Sequence, residues 1–145
     1  MKQKIVAVIG GNSTDKHFCD FAYQVGKLIA EHNCILVCGG LGGVMEAAAK
    51  GAYENEGMTI GILPGFEKTD ANPYISIPIV TGISTARNII IARTCDLAVA
   101  IDGKYGTLSE IAYCLDFGKT VLGYQTYNID KIVPIQKSEN IIKYF

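Results

Sequence analysis

Three glycine-containing turns hold most of the residues in this chain whose types and spacing suit ligand chemistry. Gly10–Thr14, Gly39–Gly43 and Gly103–Thr107 each follow an apolar run and precede a helical pattern. Glycine lets a backbone approach a ligand closely. The start of the following helix offers unpaired N–H groups and a partial positive charge, a combination that suits phosphate. The expected phosphate or nucleotide contacts are Gly11, Asn12 and Ser13 in the first turn and Gly40, Gly42 and Gly43 in the second. Gly103, Lys104, Gly106 and Thr107 are expected in the third. None of these turns carries the Gly-Lys-Ser/Thr of a Walker A loop. Gly40-x-Gly42 lacks the third glycine of the dinucleotide fingerprint, and Thr59–Ile60 stands where its acid would be. The usual NAD mode is therefore not expected, and a mononucleotide or phosphorylated sugar fits better.

Two charged residues are the candidates for catalysis. Arg87 falls in the first turn of a helix read from STARNIIIAR. A cation there opposes the helix macrodipole, at a cost of about 0.3–1 kcal/mol. It shares a face with Ile90 and Ile91, so it calls for an anionic partner. That partner is either a ligand or one of Asp96, Asp102 and Glu110. Glu110 follows Thr107 by three residues, the spacing of a capping box. It also lies off the apolar stripe Leu108, Ile111, Ala112 and Leu115. Spacing alone predicts a capping role for it. Asp102 ends a strand, where a ribose contact or a turn role is open. Tyr105 is read either as stacking on a base or as covering the loop. His17 and His32 fall at the two ends of one helix and form no triad.

The elements that must position these residues alternate. Ile5–Ile9, Ile35–Cys38, Met58–Leu63, Leu97–Ile101 and Thr120–Tyr124 read as strands without polar interruptions, as in a sheet covered on both faces. Helices are expected from Asp15 to about Glu31, Val44 to about Glu56, Ser84 or Thr85 to about Thr94, and Thr107 to about Phe117. Pro78 demotes part of the run Ile75–Val80 to an edge or a strand entry. The last twenty residues suggest a short strand at Ile132–Ile135 and a frayed helix from Ser138. The pattern predicts an α/β fold: a Rossmann-like, doubly wound, mainly parallel sheet with helices on both faces. In such sheets ligands bind beyond the carboxyl ends of the strands, at the switch point.

The 145 residues are expected to form one domain over 1–145. A net charge of −1, with no run of cations, argues against nucleic-acid binding. No apolar run approaches the roughly 20 residues of a membrane span. The five cysteines are scattered without a metal-ligand pattern, so they are read as small buried hydrophobes and no metal is expected. The N-terminus enters a strand within a few residues, so a signal peptide is not expected and a reducing cytoplasm is.

Longer stretches carry a family resemblance. CGGLGGVMEAAAKGA resembles the GGG-x-x-G-x-M segment of the LOG-type enzymes, long called lysine decarboxylases. STARNIIIARTCDLAVAIDGKYGTLSE resembles their Arg-Lys helix followed by PGG-x-GT-x-x-E. The short length is closer to the molybdenum-cofactor-carrier-like branch, which is related to DNA-processing protein A. The resemblance implies a Rossmann-like fold and a homodimer or homotetramer. In the enzymes it implies hydrolysis of the N-glycosidic bond of a nucleoside 5′-monophosphate. Gly103, Gly106 and Thr107 would then hold phosphate with the Gly40–Gly43 turn. Glu110 would contact the ribose and position water, and Arg87 would act on the leaving base. Here the family's Pro-Gly-Gly reads Asp102-Gly103-Lys104, and Asn88 replaces the lysine after the arginine. Two functions stay open: a phosphoribohydrolase, and a non-catalytic carrier of a nucleotide or a molybdenum-cofactor pterin. Neither requires a resident cofactor beyond bound nucleotide, phosphate or pterin.

Overall fold

Strands and helices alternate along the chain in the structure, a computed structural model that describes residues 2–12 and 15–145. The strands are β1 (Ile5–Gly10), β2 (Ile35–Cys38), β3 (Thr59–Leu63), β4 (Ile77–Val80), β5 (Leu97–Ile101), β6 (Thr120–Tyr124) and β7 (Ile132–Pro134). The α-helices are α1 (Lys16–Glu31), α2 (Val44–Glu54), α3 (Asn88–Thr94) and α4 (Tyr105–Asp116). All strand pairs are parallel, in the order β4-β3-β2-β1-β5-β6-β7. The chain winds outward from β1 to β4, then crosses back to lay β5 on the other side of β1. The switch point therefore lies between β1 and β5, where Gly10 pairs with Ile101 at the carboxyl ends.

Alternate side chains of each strand feed two cores. Val6, Val8, Leu36, Val99 and Ile101 pack beneath α1 and α2. Ala7, Ile9, Val37, Ala98 and Ala100 pack beneath α3 and α4. Burial on both faces is why these strands read as unbroken apolar runs. Helix α1 buries Phe18, Ala22, Val25 and Ile29, the spacing of one helical stripe. Strand β4 is an edge, as Pro78 predicted. The C-terminal segment forms β7 and then a 3-10 helix, Ser138–Tyr144. Ile141 fixes it to the α1 side of the sheet, and Lys4 donates to the Tyr144 carbonyl at 2.6 Å.

Two helix starts differ from the sequence reading. A 3-10 turn, Ser84–Arg87, precedes α3, and Ser84 itself has φ +56°. A left-handed residue cannot begin an α-helix, so the regular helix starts later and Arg87 sits at the junction. Helix α4 begins at Tyr105, with Lys104 as its N-cap residue, not at Thr107.

Candidate functional site

Beyond the paired carboxyl ends of β1 and β5, the segments that follow the strands line a cleft of about 610 Å³. Gly10, Gly11 and Asn12 form one wall, continued by Leu41 and Met45 at the entry to α2. Asp102, Gly103 and Lys104 form the opposite wall, continued by Gly106 and Thr107 in α4. Thr85, Arg87, Asn88 and Glu110 complete it. The cleft thus brings together both candidate catalytic residues, two of the contacts predicted in the first turn, Gly11 and Asn12, and all four predicted in the third. Ser13 lies outside the described residues.

The start of α4 is open. Asp102 (φ +50°) and Gly103 (φ +113°) turn the chain sharply out of β5. The Asp102 carbonyl accepts a bond from the Thr126 hydroxyl at 2.7 Å, which anchors that turn. No side chain caps the helix, so its first N–H groups remain on offer beside the exposed Lys104.

Arg87 is 8% exposed, and its guanidinium is held by the protein. Nε donates to the Ile62 carbonyl at 2.8 Å and Nη2 to the Gly39 carbonyl at 3.4 Å, while Nη1 donates to Asn88 Oδ1. No ion pair to Asp96, Asp102 or Glu110 forms among the described residues. Burial lowers the Arg87 pKa, and the charge of nearby Glu110 partly offsets this. Asn88, 2% exposed, ties Arg87 to α4: Nδ2 donates to Ser109 Oγ at 3.0 Å and to the Gly106 carbonyl at 3.5 Å. Ser109 donates to the same carbonyl at 2.7 Å.

Glu110 corrects the capping-box expectation. Because α4 starts at Tyr105, Thr107 is its third residue and Glu110 its sixth. With Lys104 as N-cap, the N3 position of a capping box is Thr107, and Glu110 lies a full turn beyond it. The buried stripe is Thr107, Glu110, Ile111 and Cys114, rotated from the apolar stripe expected. Glu110 is 7% exposed; its carboxyl has no hydrogen bond from a described residue and keeps its remaining exposure toward the cleft. Desolvation pushes its pKa up to about 8, opposed by Arg87 and reinforced by Cys95.

The turn after β2 is arranged differently. Among the described residues, Gly40, Gly42 and Gly43 are not part of the cleft wall, although Leu41 is. Gly40 is buried, and a Cβ on it would lie 2.6 Å from Leu63. Gly43 donates no space to the cleft; it backs onto the Gly11–Asn12 backbone. The residues that sequence reasoning did not place in the site are Gly10, Asp15, Leu41, Met45, Thr85 and Asn88. For Met45 a signal existed, the methionine of GGG-x-x-G-x-M. Asn88 was visible only as a replaced lysine, and its bridging role needs coordinates. Tyr105 projects into solvent, 86% exposed. His17 and His32 are exposed, and His32 Nδ1 lies 2.8 Å from the Leu28 carbonyl at the end of α1. Cys34, Cys38, Cys95 and Cys114 are buried free thiols.

A model of the SLOG cluster4 family matches residues 3–144. The chain belongs to the SLOG cluster4 family. An uncharacterized protein of Archaeoglobus fulgidus is 46% identical over 121 residues, covering 83% of this chain and 80% of that one. The molybdenum cofactor binding protein of Rippkaea orientalis is 33% identical, with a TM-score of 0.93 over 99% of this chain and 96% of that chain. The molybdenum cofactor carrier protein of Chlamydomonas reinhardtii is 31% identical, with a TM-score of 0.89 over the same shares. The family and its α/β fold agree with the resemblance carried by the glycine turns and Arg87. Among the described residues, no helix is long and apolar enough to cross a membrane.

Proposed function

We propose that this protein binds a phosphorylated heterocyclic ligand, a nucleoside monophosphate or a pterin phosphate, in the cleft beyond the carboxyl ends of β1 and β5. The observation that carries this reading is the uncapped start of α4, which opens onto a 610 Å³ cleft beside Lys104. A phosphate there meets free N–H groups, the positive end of the helix and an ammonium. The relatives described as binding or carrying molybdenum cofactor support a ligand of this class. The set Gly11, Asn12, Gly103, Lys104, Gly106 and Thr107 is the proposed phosphate and ligand contact.

Binding without turnover is the reading the geometry favours. The Arg87 guanidinium is occupied by two backbone carbonyls and Asn88. Glu110, with a pKa of about 8, is mostly neutral at pH 7 in the empty cleft. A neutral carboxyl offers little stabilisation to an oxocarbenium-like transition state. One observation favours the second reading, a phosphoribohydrolase: Arg87 and Glu110 both line the cleft, and a pKa near 8 suits proton transfer.

Calorimetric titration with AMP, GMP and a pterin phosphate tests the binding. Chromatography of the same mixtures for free base tests turnover. Saturable binding at one site per chain without base release is expected. Base release that depends on Glu110 would shift the assignment to the hydrolase, and no binding by any of the three would overturn both.

A further inference from the structure

The two sides of the sheet present different surfaces to solvent. On the α1/α2 side, ion pairs join Lys16 to Asp20 and Lys27 to Glu31 along α1, and the Tyr23 hydroxyl donates to Glu54 of α2. On the other side, residues 75–92 run from the approach to β4 into α3 with a single charged side chain, Arg87, and that one is buried. Ile77 and Ile79 of β4 are 41% and 43% exposed. They pair in register with Ile60 and Ile62, which belong to the core beneath α3 and α4, so they carry that same face out to the sheet edge. Helix α3 places Ile89, Ile90 and Ile91 in succession, and three successive residues turn through more than half of a helix circumference. A helix apolar on so many sides is normally covered all round. Here Ile91 is buried and Ile89 is 37% exposed. Ile83 and Phe66 continue the patch at the carboxyl end of β4. The Phe66 ring lies against Gly82, and the two side chains are 46% and 79% exposed. Edge strands left to solvent are normally guarded by charges, and β4 carries none.

We infer that this face, built from β4, α3 and the Phe66 loop, joins two copies of this chain across a two-fold axis. Which face joins the copies does not follow from the family resemblance. Phe66, Ile77, Ile79, Ile83 and Ile89 together expose on the order of 500 Å². A standard interface buries about 800 Å² per partner, with an apolar centre and a polar rim. These five side chains supply such a centre. The exposed, uncharged Ser84 and Thr85, with Glu67 and Lys68 next to Phe66, supply a rim. A two-fold interface sets one patch against itself. Such a patch needs to be free of an excess of either charge, since like charges would otherwise meet. The β4–α3 face satisfies that condition. Pairing of the copies does not depend on a ligand in the cleft, so either can fail alone.

Sedimentation equilibrium of the whole chain, from micromolar to submillimolar concentration, reads the association. A dimer is expected. Ile79→Lys and Ile89→Lys should each raise its dissociation constant by about a hundredfold. Far-UV circular dichroism should stay unchanged, because both side chains are already partly solvated in the single copy. Tyr53→Lys, at an aromatic 52% exposed on α2, should leave the mass unchanged. A tetramer that halves to dimers in the two isoleucine variants supports the same face. A parent that stays monomeric throughout overturns the inference and leaves the patch to a different partner. An assembly that survives both isoleucine variants, or one that dissociates only in Tyr53→Lys, also overturns it. Should a variant unfold, amide hydrogen exchange in the parent decides. Protection at Ile77–Val80 and Asn88–Thr94 should rise with protein concentration while that of α1 stays constant. Protection independent of concentration in both segments overturns the inference.

Discussion

The turn after β2 and the turn after β5 flank β1 on either side, and both are rich in glycine. After β2, a Cβ on Gly39 would lie 2.6 Å from Arg87 Nη2, and one on Gly43 would lie 2.6 Å from the Asn12 backbone. After β5, a Cβ on Gly106 would meet nothing within 4 Å. The first turn uses missing side chains to let protein pack against protein, seating the Arg87 guanidinium and the Gly11–Asn12 strand exit. In the second, Gly103 packs against the Thr107 side chain, and Gly106 leaves backbone open to the cleft. Glycine therefore marks two different needs, close packing and ligand access, and neighbouring atoms tell them apart.

Substitutions break this comparison in a defined order. Gly43→Ala meets both a left-handed φ of +66° and a backbone clash. It should cost about 3 kcal/mol or more, read as a lower midpoint in urea unfolding. Glu110→Gln comes next. Its folded pKa of about 8 lies above the ordinary 4.5, so the folded state holds the extra proton between those values. The stability associated with that proton is fully present below about pH 4.5 and is lost as pH rises through 8. Glu110→Gln should therefore be more stable than the parent at pH 9, by on the order of 2–4 kcal/mol, with the gap closing by pH 5. A parent whose melting temperature is flat from pH 5 to 9 would contradict the buried neutral carboxyl. Asn88→Ala leaves Arg87 and Ser109 without their bridge, and should cost about 1–2 kcal/mol by denaturant unfolding. Gly106→Ala, in the first turn of α4, should be neutral or gain up to about 1 kcal/mol. The same change should weaken GMP binding in calorimetry. An equal loss of stability in Gly106→Ala and Gly43→Ala would erase the distinction between the turns.

Much of the fold was legible because burial on both faces writes itself as unbroken apolar strands such as Ile5–Ile9 and Leu97–Ile101. Pro78 marked the β4 edge by its missing donor. The site was legible in location, since glycine turns after parallel strands point to the switch point. Its polar details were not. Glu110 was read as a cap because stripe analysis follows apolar residues, whereas this stripe contains Thr107 and Glu110. Helix α4 starts two residues early because the Asp102–Gly103 turn delivers the chain into it at Lys104, a conformational choice that side-chain chemistry does not announce. The Arg87 contacts with the Ile62 and Gly39 carbonyls join segments far apart in sequence, so spacing could not reveal them.

The central claim is that the ligand phosphate enters at the α4 turn and not at the turn after β2. Amide chemical-shift mapping during a GMP titration tests it most directly. The account predicts saturable shifts that are largest at Gly103, Lys104, Gly106 and Thr107, with small ones at Gly40, Gly42 and Gly43. Largest shifts at Gly40, Gly42 and Gly43, or no saturable shift at either turn, would contradict it.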